Sequence, residues 1–403
     1  MTVQDSPIKF SPGDLERHDQ PLPEIRRLVG NRPVVKVELP DGSIAWLVIG
    51  YEEVRQILVD QRFSRAAAVA PGRPLQGTEM FAAGSINGID PPEHTRLRRL
   101  VASAFTARRV EAMRPRVAAI VDSLIDSLLD RPQPADLVSG FSLPLPVQVI
   151  CEMLGVPSAD MEQFHAWSDT VMGDWERDGD VIMPALLDMY GYFGGLIALK
   201  RAKPADDLMS ALIIARDQSD RLTEEELTML GCTILLGGHE TTANQISLSL
   251  LVLLDHPAEL ERLRADPALI PGAVEELVRY VPLGFGLPPA RMATEDVLLG
   301  DVTIAAGEVV LPLFVAANRD PAAFSHPDRF DVLRPPANHL AFGAGAHHCL
   351  GAQLARLELQ QAFQGLIGRM PGLRLAVPAS ELRFKPGMAI RSLCELPVSW
   401  DEQ

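Results

Sequence analysis

The residues of this chain best placed to do chemistry surround Cys349. In Phe342-Gly343-Ala344-Gly345-Ala346-His347-His348-Cys349-Leu350-Gly351, a cysteine stands in a glycine-rich loop before an apolar, arginine-bearing segment that reads as a helix over 352–366. Glycines let such a loop fold tightly under a flat ligand. A thiol beside a helix N-terminus has its anion stabilised by backbone N–H groups, the condition for a thiolate metal ligand. A lone cysteine in a turn is more often inert, so the remaining stretches carry weight. In Leu236-Gly237-Gly238-His239-Glu240-Thr241-Thr242, polar residues and glycines interrupt an apolar run. Buried polar groups are costly unless paired, and a mid-helix glycine costs roughly 1 kcal/mol against alanine. Such locally unfavourable choices often mark functional sites. Here the glycines would permit close approach of a flat ligand, and Thr241 can donate to the Gly237 carbonyl and open the helix. The plainer alternative is a solvated Glu/Thr turn. Glu276 and Arg279 form an i,i+3 pair, a common arrangement worth roughly 0.2–0.5 kcal/mol on an exposed face.

These residues need elements to hold them. Asp41-Gly42 between apolar runs at 34–39 and 44–49 predicts a hairpin, and Gly300-Asp301 between 297–299 and 302–304 predicts a second. A further strand is expected over 309–315, and a helix over 110–130 from its apolar spacing, with Pro115 in its early part. Thr223-Glu224-Glu225-Glu226 is a capping box, and nothing breaks the run that follows before Asp255-His256-Pro257. A helix over 224–255 would be about 48 Å long, a spine crossing the molecule. The strand-bearing regions lie near the two ends of the sequence, with a helical majority between.

Composition narrows the class. The 403 residues are 47% hydrophobic, enough for a large core. Length alone suggests two or three domains. No Gly/Ser tract, charge block or internal repeat divides the chain, so residues 1–403 read as one large, mainly α domain with small β-sheets. Four scattered cysteines show neither zinc spacing nor disulfide density, which suits a reducing cytoplasm. Residues 1–20 contain no long apolar run, so neither a signal peptide nor a membrane anchor is expected. The net charge of −16 disfavours nucleic acid as a partner. Against that acidity, Arg96, Arg98, Arg99, Arg108, Arg109, Arg114 and Arg116 cluster with Glu111 as the lone acid among them. The cluster is an anion site, a docking patch or a solvated helix face.

The cysteine loop resembles the haem-binding loop of the cytochrome P-450 family, Phe-Gly-x-Gly-x-His-x-Cys-x-Gly, at every fixed position. The resemblance runs from about residue 10 to 400 and is to the soluble bacterial members. It implies the P-450 fold with its long central helix, haem b (iron protoporphyrin IX) as cofactor, and Cys349 as the axial thiolate, with Phe342, Gly343 and Gly351 shaping the loop and Gly237 and Gly238 passing close to the haem. Glu240-Thr241 resembles the family's acid–alcohol pair, which delivers protons during oxygen activation. Gly237 stands where many members have alanine. Haem propionates need cationic or hydrogen-bonding partners. The segment Asp90-Pro91-Pro92-Glu93-His94-Thr95-Arg96-Leu97-Arg98-Arg99 is similar to the family's propionate-binding segment and points to His94 and Arg98. Arg291 and His347 match the other two propionate ligands. Glu276 and Arg279 match a structural pair whose third member would be Arg329, in Pro327-Asp328-Arg329-Phe330.

The activity so implied is monooxygenation: dioxygen and two electrons convert a hydrophobic small molecule to a hydroxylated or epoxidised product. The sequence shows no flavin or nicotinamide fingerprint, so a ferredoxin with its ferredoxin reductase is the expected donor. The arginines at 96–116, with Arg356, are a candidate docking face. A monomer is expected. Pocket candidates are Met80, Phe81, Leu235, Leu283, Phe285, Leu287, Met388 and Ile390, with Leu75, Ile86, Met172 and Trp175 in the same regions, and a large secondary metabolite such as a macrolide, polyketide or peptide is the expected substrate. Two alternatives remain. A haem-thiolate binding or sensing protein would not need Glu240-Thr241. A non-hydroxylating oxidase, coupling rings or acting on a carrier-bound substrate, would share every motif, although coupling members often lose the threonine.

Overall fold

The computed structural model describes residues 7–10, 25, 32–70, 85–102, 104–171, 173, 175–219, 222–284, 289–385 and 390–401. Most of the N-terminal stretch expected to lack an anchor lies outside them. The chain forms two compact units interleaved in sequence: Met1–Arg96 with Gly284–Phe330 and Asn338–Cys349, and Leu97–Leu283 with Asp331–Ala337 and Leu350–Gln403.

The first unit is built on a six-stranded sheet, in spatial order Ile8–Lys9, Val34–Glu38, Ile44–Val48, Val309–Pro312, Arg291–Ala293 and Phe63–Ser64. The expected hairpin pairs Val34 with Val48 through Glu38 with Ile44. Gly42 takes φ +80° in its turn, a conformation that needs no Cβ. Alternate residues Val35, Val37 and Leu47 enter one core cluster with Leu311 and Leu313, as a period of two dictates. The second hairpin, Val297–Leu299 with Val302–Ile304, also forms where expected. The strand expected over 309–315 stops at Pro312, which has no N–H for a ladder, and Phe314–Ala317 is helical.

The same unit holds the cysteine loop. Asn318 Oδ1 accepts from Leu340 N at 2.6 Å, Gly343 N donates to Leu340 O at 2.8 Å, and Cys349 N donates to Phe342 O at 2.8 Å. The loop is thus closed on itself just before the cysteine. Gly343 and Gly345 have φ of +69° and +67°. A Cβ on Gly345 would also collide with the backbone carbonyl of Leu58.

The second unit is mostly helical. Its spine is the expected 32-residue helix Glu224–Asp255, opened by a complete capping box in which Thr223 Oγ1 accepts from Glu226 N and Thr223 N donates to Glu226. The helix is apolar on nearly every side because helices Pro144–Leu154, Met161–Val171, Trp175–Ala202 and Ala352–Arg369 all pack on it. The single helix expected over 110–130 is instead two, Ala107–Ala112 and Arg114–Leu129. Pro115 lies in the first turn of the second, where its missing N–H breaks no helical bond. Val117, Ile120, Val121, Ile125 and Leu128 then form the buried stripe, packed on Ala352–Arg369. Among the described residues, one helix, Asp178–Ala202, is long and apolar enough by length and composition to cross a membrane.

Glu276 ties this unit together. Its carboxylate, on helix Ile270–Tyr280, accepts from Arg279 at 2.7 and 2.8 Å, from Arg334 Nε at 3.0 Å and from Asp331 N at 3.2 Å. Glu276 and Arg279 are 3% and 2% exposed. The downstream arginine seen on this carboxylate is Arg334, five residues beyond Arg329, the residue the resemblance suggested. Arg329 is exposed, whereas Arg334 Nε is placed against the buried carboxylate.

Removing one partner from a buried ion pair strands the other. Glu276→Ala should therefore cost about 3–5 kcal/mol in denaturant titration, and a loss below about 1 kcal/mol would contradict the network's role. Gly345→Ala should cost at least about 1–2 kcal/mol from its left-handed conformation alone, read the same way.

Candidate functional site

Each unit holds its own set of candidate groups. In the first, Cys349 is exposed, as is Cys394 in the second; Cys151 and Cys232 are buried. Burial pushes the thiols of Cys151 and Cys232 up to about 12, so neither is a ready thiolate near neutral pH. Cys394 lacks the glycine loop and the following helix. Cys349 is followed after two residues by helix Ala352–Arg369, whose N-terminal N–H groups favour a thiolate there.

Beside the cysteine loop, the rings of His94 and His347 lie 4.2 Å apart between centroids. His94 is buried at 2% exposure in the first turn of helix Glu93–Ala102. Arg98 follows one turn later and is half-buried. Arg291, 4% exposed, sits in the sheet. Two residues that sequence reasoning did not single out position His94 and the start of the Arg291 strand. The Asp90 carboxylate accepts from Ser64 Oγ at 2.5 Å and Arg65 N at 2.9 Å, and its carbonyl accepts from His94 N at 3.0 Å. Arg65, itself buried, donates to Asn87 O and Ala290 O, each at 3.0 Å. Strand, pre-helix segment and the Arg291 strand are thereby locked together. The partners lie far apart in sequence and left no local pattern by which to find this.

In the second unit, the spine is interrupted where expected. Between Leu230 and Leu250, every residue is buried except Gly237, Gly238 and Thr241. Gly237 is exposed, and nothing lies within 4 Å of a Cβ built on it. Gly351 likewise has open space. Gly238, half-buried, also meets a neighbouring helix. Its Cβ would come to 2.9 Å from Ile150 Cδ1, so this glycine admits helix Pro144–Leu154. Thr241 Oγ1 donates to Gly237 O at 2.6 Å, the back-bond expected from the sequence. Glu240 is 2% exposed, and Asn244 Nδ2 donates to its carbonyl at 2.9 Å and its carboxylate at 3.1 Å. Burial raises the Glu240 carboxyl to about 7, with the Asp169 charge adding to the rise. It is therefore poised to hold or release a proton near neutrality.

The pocket candidates fare unevenly. Met80, Phe81, Phe285, Leu287 and Met388, with Leu75 and Met172, lie outside the described residues, as does the side chain of Trp175. Leu283 and Ile390 are both half-buried, and Leu283 O accepts from Arg391 N at 2.9 Å, so these two segments are neighbours. Leu235 is 0% exposed and belongs to the core, because a wall of an open pocket keeps accessible surface. Arg356, expected on a docking face, forms an internal bidentate pair with Glu275 at 2.6 and 2.9 Å. Arg114 and Arg116 are paired with Glu111 and Glu152, whereas Arg108 and Arg109 are exposed on their short helix.

These groups fit a haem. Among the described residues, no cluster of three or more His, Cys, Asp or Glu could hold a metal ion. An exposed cysteine at the end of a glycine-rich loop suits a metal already chelated by a flat macrocycle. Paired imidazoles and a buried guanidinium suit that macrocycle's carboxylates.

The comparisons with known proteins agree. The family model described as Cytochrome P450 matches residues 197–369. The chain is 49% identical over 368 residues to the mycinamicin IV hydroxylase/epoxidase of Micromonospora griseorubida, covering 91% of this chain and 92% of that protein. It is 49% identical over 374 residues to the nocardicin C N-oxygenase of Nocardia uniformis subsp. tsuyamanensis, covering 93% and 94%. Its fold matches the mixed-function P450 MycG with a TM-score of 0.87 at 46% identity, over 98% of this chain and 100% of that one. It matches HinD, solved with NMFT and NO, with a TM-score of 0.89 at 44% identity over the same shares. A thiolate loop, an interrupted helical spine and near-full-length identity of this order lead to one conclusion: the chain belongs to the cytochrome P450 family of haem-thiolate monooxygenases.

Proposed function

We propose that this monooxygenase hydroxylates or epoxidises a large hydrophobic secondary metabolite of the macrolide, polyketide or peptide kind, with electrons from a separate ferredoxin and its reductase. Cys349 holds the haem iron, and His94, Arg98, Arg291 and His347 hold its propionates. When bound, the haem supplies reductive activation of dioxygen, and thiolate ligation favours O–O cleavage.

The observation that carries oxygen insertion, over mere binding, is the opening at Gly237, Gly238 and Thr241 with Glu240 beside it. Thr241 is turned toward the helix by its bond to Gly237 O and offers its hydroxyl oxygen as a proton relay at the accessible stretch between Leu230 and Leu250. Glu240, raised to about 7, carries a proton below that pH and can pass it on. Asn244 holds the carboxyl in place. The presence of Thr241 favours hydroxylation over ring coupling.

Substrate choice is argued more coarsely. Two relatives at the same 49% identity are named for different substrates, mycinamicin IV and nocardicin C. Identity at that level therefore does not select one. The apolar segments at Leu283 and Ile390 support a hydrophobic substrate. Arg108 and Arg109, exposed on an acidic chain, support docking of an acidic electron donor.

The test is turnover with labelled dioxygen, using macrolides and peptides that first shift the haem spin state. One labelled oxygen atom in the product is expected; a coupled product without label would favour the non-hydroxylating oxidase. Glu240→Gln should lower product formation on the order of 100-fold, the usual scale for a lost general acid. In the wild type, product formation should fall as pH rises through about 7, because the folded-state carboxyl then loses its proton. That limb should vanish in the variant, and a limb unchanged by the substitution would contradict the assignment. Arg109→Glu should slow reduction by ferredoxin, increasingly so at low salt, without altering product formation driven by peroxide.

A further inference from the structure

The proton-delivery reading leaves a neighbouring cluster of ionisable groups unused. His239 is 0% exposed, and neither ring nitrogen has a hydrogen-bond partner among the described residues. Its Nδ1 lies 3.9 Å from Glu240 Oε1, which also has none among them. Helix Met161–Val171 packs on the spine and brings the His165 ring to 5.4 Å from that of His239, between centroids. One turn beyond His165, Asp169 forms an ion pair with Lys385 of the C-terminal segment. The pair reaches solvent, with side chains 40% and 28% exposed. Lys385 is held in register by its own N–H donating to Ser392 O at 2.8 Å.

Charge and burial sort the members. Desolvation is the first cause that lowers both histidines, His239 to about 3, so both are neutral near pH 7. The charges acting on Glu240 are therefore Asp169, from helix Met161–Val171, and Lys385, from the C-terminal segment. On its own helix it meets neutral His239 and the Asn244 amide, and helices Pro144–Leu154, Trp175–Ala202 and Ala352–Arg369, which also pack on the spine, contribute no acting charge among the described residues. The two neutral rings, His165 and His239, lie on the path from the ion pair to the Glu240 carboxyl.

We propose that Asp169 and Lys385 are positioning residues for proton delivery, an ion pair at the surface that sets the proton affinity of the buried Glu240. The two ends act in opposite directions. Asp169 favours the protonated carboxyl, and Lys385 favours the carboxylate. Their balance keeps Glu240 able both to give and to regain a proton at working pH. The proposal rests on the reading of Glu240 as proton donor, but its test does not depend on turnover.

The test is pH-titrated infrared spectroscopy of the holoenzyme, following the protonated-carboxyl C=O band that disappears in Glu240→Gln. Lys385→Met should move the midpoint of that band up, and Asp169→Asn should move it down, each by on the order of half to one pH unit. Lys385→Arg should leave it close to wild type, and the double variant Asp169→Asn with Lys385→Met should return it most of the way. Shifts in the same direction, no shift in either single variant, or no band lost in Glu240→Gln would overturn the proposal. A surviving basic limb of turnover in Glu240→Gln, with the opposed infrared shifts intact, would instead overturn the proton-donor reading while leaving the coupling standing.

Discussion

A carboxyl, an imidazole and a hydroxyl in the middle of an almost wholly buried 32-residue helix are the constraint around which the second unit is arranged. Polar groups are costly there unless paired. The helix answers in part, since both His239 ring nitrogens and Glu240 Oε1 have no partner among the described residues. Thr241 bonds back to Gly237, Asn244 bonds to Glu240, and Gly238 lets Ile150 close one side. What is left accessible is a short window at Gly237, Gly238 and Thr241. Desolvation, the cost of this arrangement, is also what brings Glu240 to about 7. Stability and proton chemistry thus share one cause.

The first unit answers a different demand, which is to hold an exposed cysteine and several cationic or imidazole groups in fixed relation. It does so with backbone bonds closing the loop and with Asp90 and Arg65 locking three segments that are distant in sequence. The glycines at 343 and 345 are required by positive φ, and Gly345 also by the nearness of Leu58.

Much of this was legible in the sequence because the relevant signals are local. The capping box at Thr223, the turn residues of both hairpins, the interruption at Gly237 and the cysteine loop are each written within a few residues, and the helix over 224–255 forms with the bounds expected. Misreadings arose where a partner was distant or a proline intervened. Pro115 divided one expected helix and Pro312 shortened a strand. Arg334 could not be told from Arg329 by pattern, because only packing decides which reaches Glu276. The two glycines of the spine look alike in sequence, yet one admits Ile150 and the other faces open space. The pairing of Asp169 with Lys385 spans more than half the chain and carries no local mark.

The central claim is that Cys349 is the thiolate that holds the haem. The most direct measurement is the absorption spectrum of the reduced, carbon monoxide-treated protein beside that of Cys349→His. A strongly red-shifted Soret band in the wild type, replaced by an ordinary haem band in the variant, is the expected result. An ordinary band in the wild type, or a red-shifted band that survives the substitution, would contradict the account.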